Sequence, residues 1–132
     1  GHIVASIGES SGEVAYTCFF STKSYMDNNK DTIEKFTRAI YKGQIWFKEH
    51  SSSEIADSIS SFFPGTDKDI IISVIDNYKE IDAIADDPTV NEENLNHLMD
   101  IISDYDSSLI QSRPPFEDIV NNEFSKKVTS EK

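Results

Sequence analysis

Two stretches of this chain have the composition of β-strands, and both lie in its first twenty residues. Ile3-Val4-Ala5-Ser6-Ile7 is short, apolar and partly β-branched. Val14-Ala15-Tyr16-Thr17-Cys18-Phe19-Phe20 is apolar nearly throughout. Gly8-Glu9-Ser10-Ser11-Gly12-Glu13 between them reads as a loop. Strands this continuously apolar are buried on both faces, as in α/β sheets. Two strands alone make at best a marginal hairpin, so their neighbours must come from elsewhere. The expectation is an α/β parent fold, with this chain mainly α and a fragment of a larger protein. Two short N-terminal strands would be followed by about five helices. The missing N-terminal part of the same protein, or another copy, would then supply the strand pairing. The alternative is a complete helical domain with a small β-hairpin arm.

Everything after Asp27 reads as helix. Asn28 or Asn29 suits the first cap, and Ile33, Phe36, Ile40, Gly43 and Phe47 follow at steps of three and four. Ser51-Ser52-Ser53-Glu54 is a capping box for a second helix, with stripe Ile55, Ile59, Phe62 and Phe63, stopped by Pro64-Gly65. Thr66 is the expected cap of a third, with stripe Ile71, Val74, Ile75, Tyr78 and Ile81. Asn91 caps a fourth, whose face is Leu95, Leu98, Met99, Ile102 and Tyr105, broken at Ser107-Ser108. Pro114-Pro115 opens a short turn, and Asn121-Asn122 leads into a last one around Phe124 and Val128.

The chain has 24 acids against 12 Lys and Arg, a formal net charge of -12. Such a surface repels phosphate backbones and argues against a nucleic-acid partner. The charge is local: from Ser51 to Ser125 seventeen acids face only Lys68, Lys79 and Arg113, whereas Gly1 to His50 is neutral. It therefore belongs to the later helices, as a solvated face or as an acidic docking or cation-binding face.

Chemistry-bearing residues are sparse. Cys18 sits in an apolar strand candidate, where burial is expected. His97 shares a helical face with Glu93, Asp100 and Asp104, which suits a divalent ion but equally a solvated face, so no metal and no cofactor are expected. The pairs Asp86-Asp87 and Asp67/Asp69 fall at helix ends, where capping accounts for them. The Gly8–Gly12 stretch matches neither the phosphate-loop nor the dinucleotide pattern, although its serines and amides suit a small anionic ligand. No nucleophile–base–orienter set is present, which argues against an enzyme.

Read as an ordered series, the chain resembles the C-terminal section of ABC-importer substrate-binding proteins of the nitrate/sulfonate/taurine and thiamine-precursor type. The resemblance runs from Gly1-His2-Ile3-Val4-Ala5-Ser6-Ile7-Gly8 through Gly12-Glu13-Val14-Ala15-Tyr16-Thr17. It continues at Tyr25, Ile33-Glu34-Lys35-Phe36-Thr37-Arg38-Ala39-Ile40-Tyr41-Lys42-Gly43-Gln44, Trp46, Glu49-His50-Ser51 and Ile55-Ala56. It closes on Phe62-Phe63-Pro64 and Val120-Asn121-Asn122-Glu123-Phe124. The family often has Asn-Pro where this chain has Asn29-Lys30, and Pro where it has Ala15.

The resemblance implies a two-lobed periplasmic-binding-protein parent of the second type. Residues 1–20 would be crossover and hinge strands, and residues 21–132 a helical section packing on the first lobe. It implies capture of a small polar or anionic solute (sulfonate, nitrate or pyrimidine-like) between lobes, hinge closure, and delivery to a membrane permease. It also implies a place outside the cytoplasmic membrane, periplasmic or lipoprotein-anchored. Ser10, Ser11, Tyr16 and Thr17 are the ligand contacts it suggests in this chain. Other readings are a free-standing acidic helical interaction module and an enzyme of the same fold, such as a thiamine-pyrimidine synthase.

Overall fold

A computed structural model describes Val4, Ala5 and residues 7–131. Helix makes up 64% of the described residues, with no strand and no sheet among them. The elements are α1 (Ile7–Ser11), α2 (Lys23–Asn28), α3 (Lys30–Glu49), α4 (Ser52–Ile59), α5 (Lys68–Glu80), α6 (Glu92–Tyr105), α7 (Phe116–Ile119) and α8 (Glu123–Ser130). A single 3-10 turn, Ser60–Phe62, extends α4.

The expected α/β architecture is therefore corrected to an all-helical one. Ile3 and Ser6 of the first expected strand lie outside the described residues. Ile7 and the expected loop Gly8–Ser11 form α1 instead. Residues 12–22, including the second expected strand, have no regular structure. The reason lies in the backbone. A strand pairs its amides with a neighbouring strand, and no neighbour is available here. The Tyr16 N–H turns back onto the Val14 carbonyl at 2.9 Å, closing a three-residue turn that interrupts any extended run. Cys18 is consequently exposed rather than buried.

The described chain divides into two compact units, Gly1–Thr37 with Thr89–Lys132, and Arg38–Pro88. In the second, the capping box starts α4 as expected. The Glu54 N–H donates to the Ser51 hydroxyl, while the Ser51 N–H donates to the Glu54 carboxylate at 2.9 Å. Ile55 and Ala56 of α4 meet Ile71 and Ile75 of α5, with Trp46, Phe47, Ile59 and Ile72 packed around them. Ala56 is 0% exposed; its single methyl lets the two helices approach closely. Ser52 adds a hydroxyl bond to Asp76 across the pair, and Lys68 pairs with Asp57.

The link between these helices turns at Gly65, whose φ of 84° no β-branched residue would accept. α5 starts from Asp67, one residue later than Thr66, and without a side-chain cap bond. Only Ile71 and Ile75 of its five-residue expected stripe are buried: Val74, Tyr78 and Ile81 are exposed, as are Phe62 and Phe63. The last carbonyls of α3 are satisfied from the side. His50 Nδ1 donates to the Trp46 carbonyl at 2.8 Å, with its ring stacked on the indole at 4.4 Å. The Lys79 ammonium bonds the His50 carbonyl and lies 5.2 Å from the Phe47 ring centroid.

In the other unit, Phe124, Ser125 and Val128 on one face of α8 are buried. Asn122 fixes the start of α8 by bonding both backbone groups of Val90, accepting its N–H at 3.0 Å and donating to its carbonyl at 2.9 Å. The buried Ser125 hydroxyl is satisfied by the Asn122 carbonyl. Lys127 pairs with Glu34 on the first turns of α3, and Arg113 pairs with Asp100 on α6. Phe19 meets Phe36 edge-to-face, with ring centroids 4.8 Å apart.

Two outcomes follow from this packing. Ile75→Ala is expected to cost about 2–5 kcal/mol of unfolding free energy, by the cavity it leaves against Ala56 and Ile55. Denaturation followed by Trp46 fluorescence reads it, and a loss under 1 kcal/mol contradicts the packing described. The second outcome concerns pH. The Ser51 hydroxyl, and then the Ser51 N–H, bond the charged form of Glu54 and hold its carboxyl below the ordinary glutamate range. A pKa lowered on folding stabilises above the unfolded value and is lost as pH falls through the folded one. Wild type should therefore lose stability more steeply than Glu54→Gln as pH drops below that range; identical acid limbs contradict the capping box.

Candidate functional site

The site is built where α6 faces the residues that follow α1. Asn91 starts α6, its Oδ1 accepting the N–H groups of Glu93 at 2.8 Å and Asn94 at 3.3 Å. Helical spacing then sets Asn94 and His97 one turn apart on one face. Both reach the incoming segment. His97 Nε2 lies 2.7 Å from the Ser11 carbonyl oxygen. That oxygen can only accept, so the ring nitrogen carries the hydrogen. The Ala15 N–H donates to the Asn94 carbonyl at 3.2 Å, and the Asn94 amide donates to the Glu13 carboxylate at 3.2 Å.

Gly12 sits at the centre of this attachment with φ 76°. A Cβ there would stand 3.9 Å from His97 Nε2, an ordinary contact. What Gly12 supplies is the left-handed backbone that turns Ser11 toward His97. Beside it is an open depression of about 920 Å³, lined among others by Glu13, Glu92, Asn94, His97 and Asp100. Four of its eight lining residues are carboxylates and none is a lysine or arginine, so the local field favours a neutral polar or cationic solute over an anion.

Among the described residues no group of three or more His, Cys, Asp or Glu side chains is placed to hold a metal ion. On α6, Asp100 pairs with Arg113 and His97 bonds the backbone of Ser11. Asp86 of the Asp86-Asp87 pair bonds Lys48.

The four residues suggested as ligand contacts fall in two pairs. Ser10 and Ser11 end α1. The Ser11 hydroxyl lies 3.3 Å from the carbonyl oxygens of both Gly8 and Gly12, so its hydrogen is shared within the turn. Tyr16 and Thr17 lie in the irregular segment just beyond Ala15, with Tyr16 80% exposed. Residues 11–15 join the two pairs, and that stretch is the part bonded to α6. Sequence reasoning placed His97 on an acidic face but missed its bond to Ser11, because the two are 86 residues apart. The glycine at position 12 was the available signal.

Comparison with known proteins bears on what such an arrangement serves. The chain is 45% identical, over all 132 residues, to a Bacillus subtilis (strain 168) protein that carries the name "Putative binding protein YtlA". The similarity is to a binding protein. The chain spans 39% of that relative's length. No protein-family model and no solved structure matches the chain.

The geometry at Gly12 carries its own test. Gly12→Ala should destabilise the chain by about 1–2 kcal/mol, through backbone strain rather than a clash. Gly12→Asn should cost less, because asparagine tolerates the left-handed region. Thermal unfolding of the two variants checks the order; equal losses point to a steric cause and contradict it.

Proposed function

We propose that this chain is part of the solute-binding component of an ABC import system. In this reading it helps capture a small polar solute outside the cytoplasmic membrane and present it to a membrane permease. The observation that carries the reading is the 45% identity, along the whole chain, to a protein named as a binding protein. The ordered sequence resemblance supports the importer type. In this reading the role is capture without turnover.

Ser10, Ser11, Tyr16 and Thr17 are the proposed ligand contacts. Serine and threonine hydroxyls supply donors and acceptors for a polar solute, and the exposed Tyr16 ring supplies a stacking face. The acidic lining beside them favours the pyrimidine-like end of the solute class, because an aminopyrimidine can donate to carboxylates whereas nitrate cannot.

Calorimetric titration of the full-length protein with a hydroxymethyl aminopyrimidine, taurine and nitrate tests this. The expected order of affinity is aminopyrimidine first and nitrate last. Ser10→Ala and Tyr16→Ala should each weaken the best ligand about tenfold, the equivalent of ~1.4 kcal/mol. Absence of binding to all three probes contradicts the reading. The all-helical fold favours a second reading, an acidic helical module that binds a basic protein. That reading requires an affinity that collapses between low and high salt.

A further inference from the structure

We propose that His97 and Asn94 of α6 are positioning residues: they strap residues 11–15 and so set the spacing of Ser10 and Ser11 relative to Tyr16 and Thr17. This rests on the proposed function, in which those four residues contact solute. It adds a part of the chain that neither the resemblance nor the comparison points to.

Three bonds carry the inference. They join His97 to the Ser11 carbonyl at 2.7 Å, the Ala15 N–H to the Asn94 carbonyl at 3.2 Å, and the Asn94 amide to Glu13 at 3.2 Å. They span some eighty residues of sequence, so they are not products of local helix geometry. They act where the chain has no other regular support, since residues 12–22 belong to no helix or strand. A segment without secondary structure keeps its shape only through such attachments. They also act at both ends of a five-residue stretch. The carbonyl at its start is held by a ring one helical turn from the carbonyl that holds the amide at its end. α6 is thus a rigid ruler, and Gly12 supplies the left-handed turn that lets the chain follow it.

The candidate contacts flank this ruler directly. Ser10 and Ser11 lie at its first bond, and Tyr16 and Thr17 follow its last. A solute that touches both pairs therefore feels a change at His97 without touching it. Loss of the strap leaves the contacts in place chemically but spreads their positions, and a binding site pays for that spread in affinity.

Amide hydrogen exchange on the full-length protein, read by mass spectrometry on peptides across residues 12–17 and across α8, decides the matter. His97→Ala should speed exchange in residues 12–17 about tenfold and leave α8 unchanged. His97→Gln, whose amide nitrogen can donate in the same direction, should restore most of the protection; a role in bulk packing alone would not be rescued in this way. Should His97→Ala loosen α8 as well, Asn94→Asp is the second variant. It replaces the donor to Glu13 by a repelling carboxylate, and faster exchange confined to residues 12–17 is again expected. Unchanged exchange in that variant, or in His97→Ala, overturns the strap, as does a glutamine no better than alanine. The affinity for the aminopyrimidine or taurine, whichever wild type binds, should fall with the exchange protection. Wild type that binds neither contradicts the proposed function, while the strap is still judged on exchange alone.

Discussion

A helix satisfies its backbone amides within itself, whereas a strand borrows every partner from a neighbour. That difference governs this chain. After Asp27 the apolar residues recur at helical spacing, and the resulting helices close their backbone hydrogen bonds within themselves. The first twenty residues contain apolar side chains suited to a sheet, but the described chain has no sheet for them to join. The segment takes what bonds are within reach: a three-residue turn at Tyr16 and the attachment of Ser11, Glu13 and Ala15 to α6. Side-chain character followed a strand pattern, and backbone pairing decided otherwise.

The local signals were legible in proportion to how locally they act. Ser51 and Glu54 form the capping box that their spacing announces, and Asn91 starts α6. Pro115 precedes α7, and Asn122 leads into α8 with Phe124 and Val128 buried. The caps at Ser51 and Asn91 act within one turn, whereas Asn122 works through Val90, 32 residues away. The failures are of longer range. The pattern of α5 marked Val74, Tyr78 and Ile81 as core together with Ile71 and Ile75, yet they are exposed. Periodicity names the apolar side of a helix, whereas the neighbour decides how much of that side is covered. The short helix α2 had no expected counterpart: its cap, Thr22, accepts from the Tyr25 N–H in the stretch between the second expected strand and the first expected helix. The α/β expectation failed for the same reason, since strand pairing is the longest-range feature of all.

The candidate site shows the same limit from another side. The excess of acids after Ser51 was legible, and its placement was not. Four of those acids, Glu92, Glu93, Asp100 and Asp104, lie on α6, which receives the segment carrying the candidate ligand contacts. Charge that looked remote from the first twenty residues thus lies beside them, and it shifts the expected solute away from anions. His97, first weighed as a metal ligand within this acidic face, serves the backbone of Ser11 instead. In the proposed function, the attachment of residues 11–15 to α6 is what would hold the candidate ligand contacts in place.

The central claim is that residues 12–20 are an irregular segment held by α6 and not a strand. Backbone chemical shifts of the isotope-labelled chain, with nuclear Overhauser contacts from the Ala15 amide, test it most directly. The account predicts helical shifts for Ile7–Ser11, no run of extended shifts across Val14–Phe20, and contacts from Ala15 to Asn94. A continuous run of strand shifts through Val14–Phe20, with cross-strand contacts in place of those to Asn94, would contradict it.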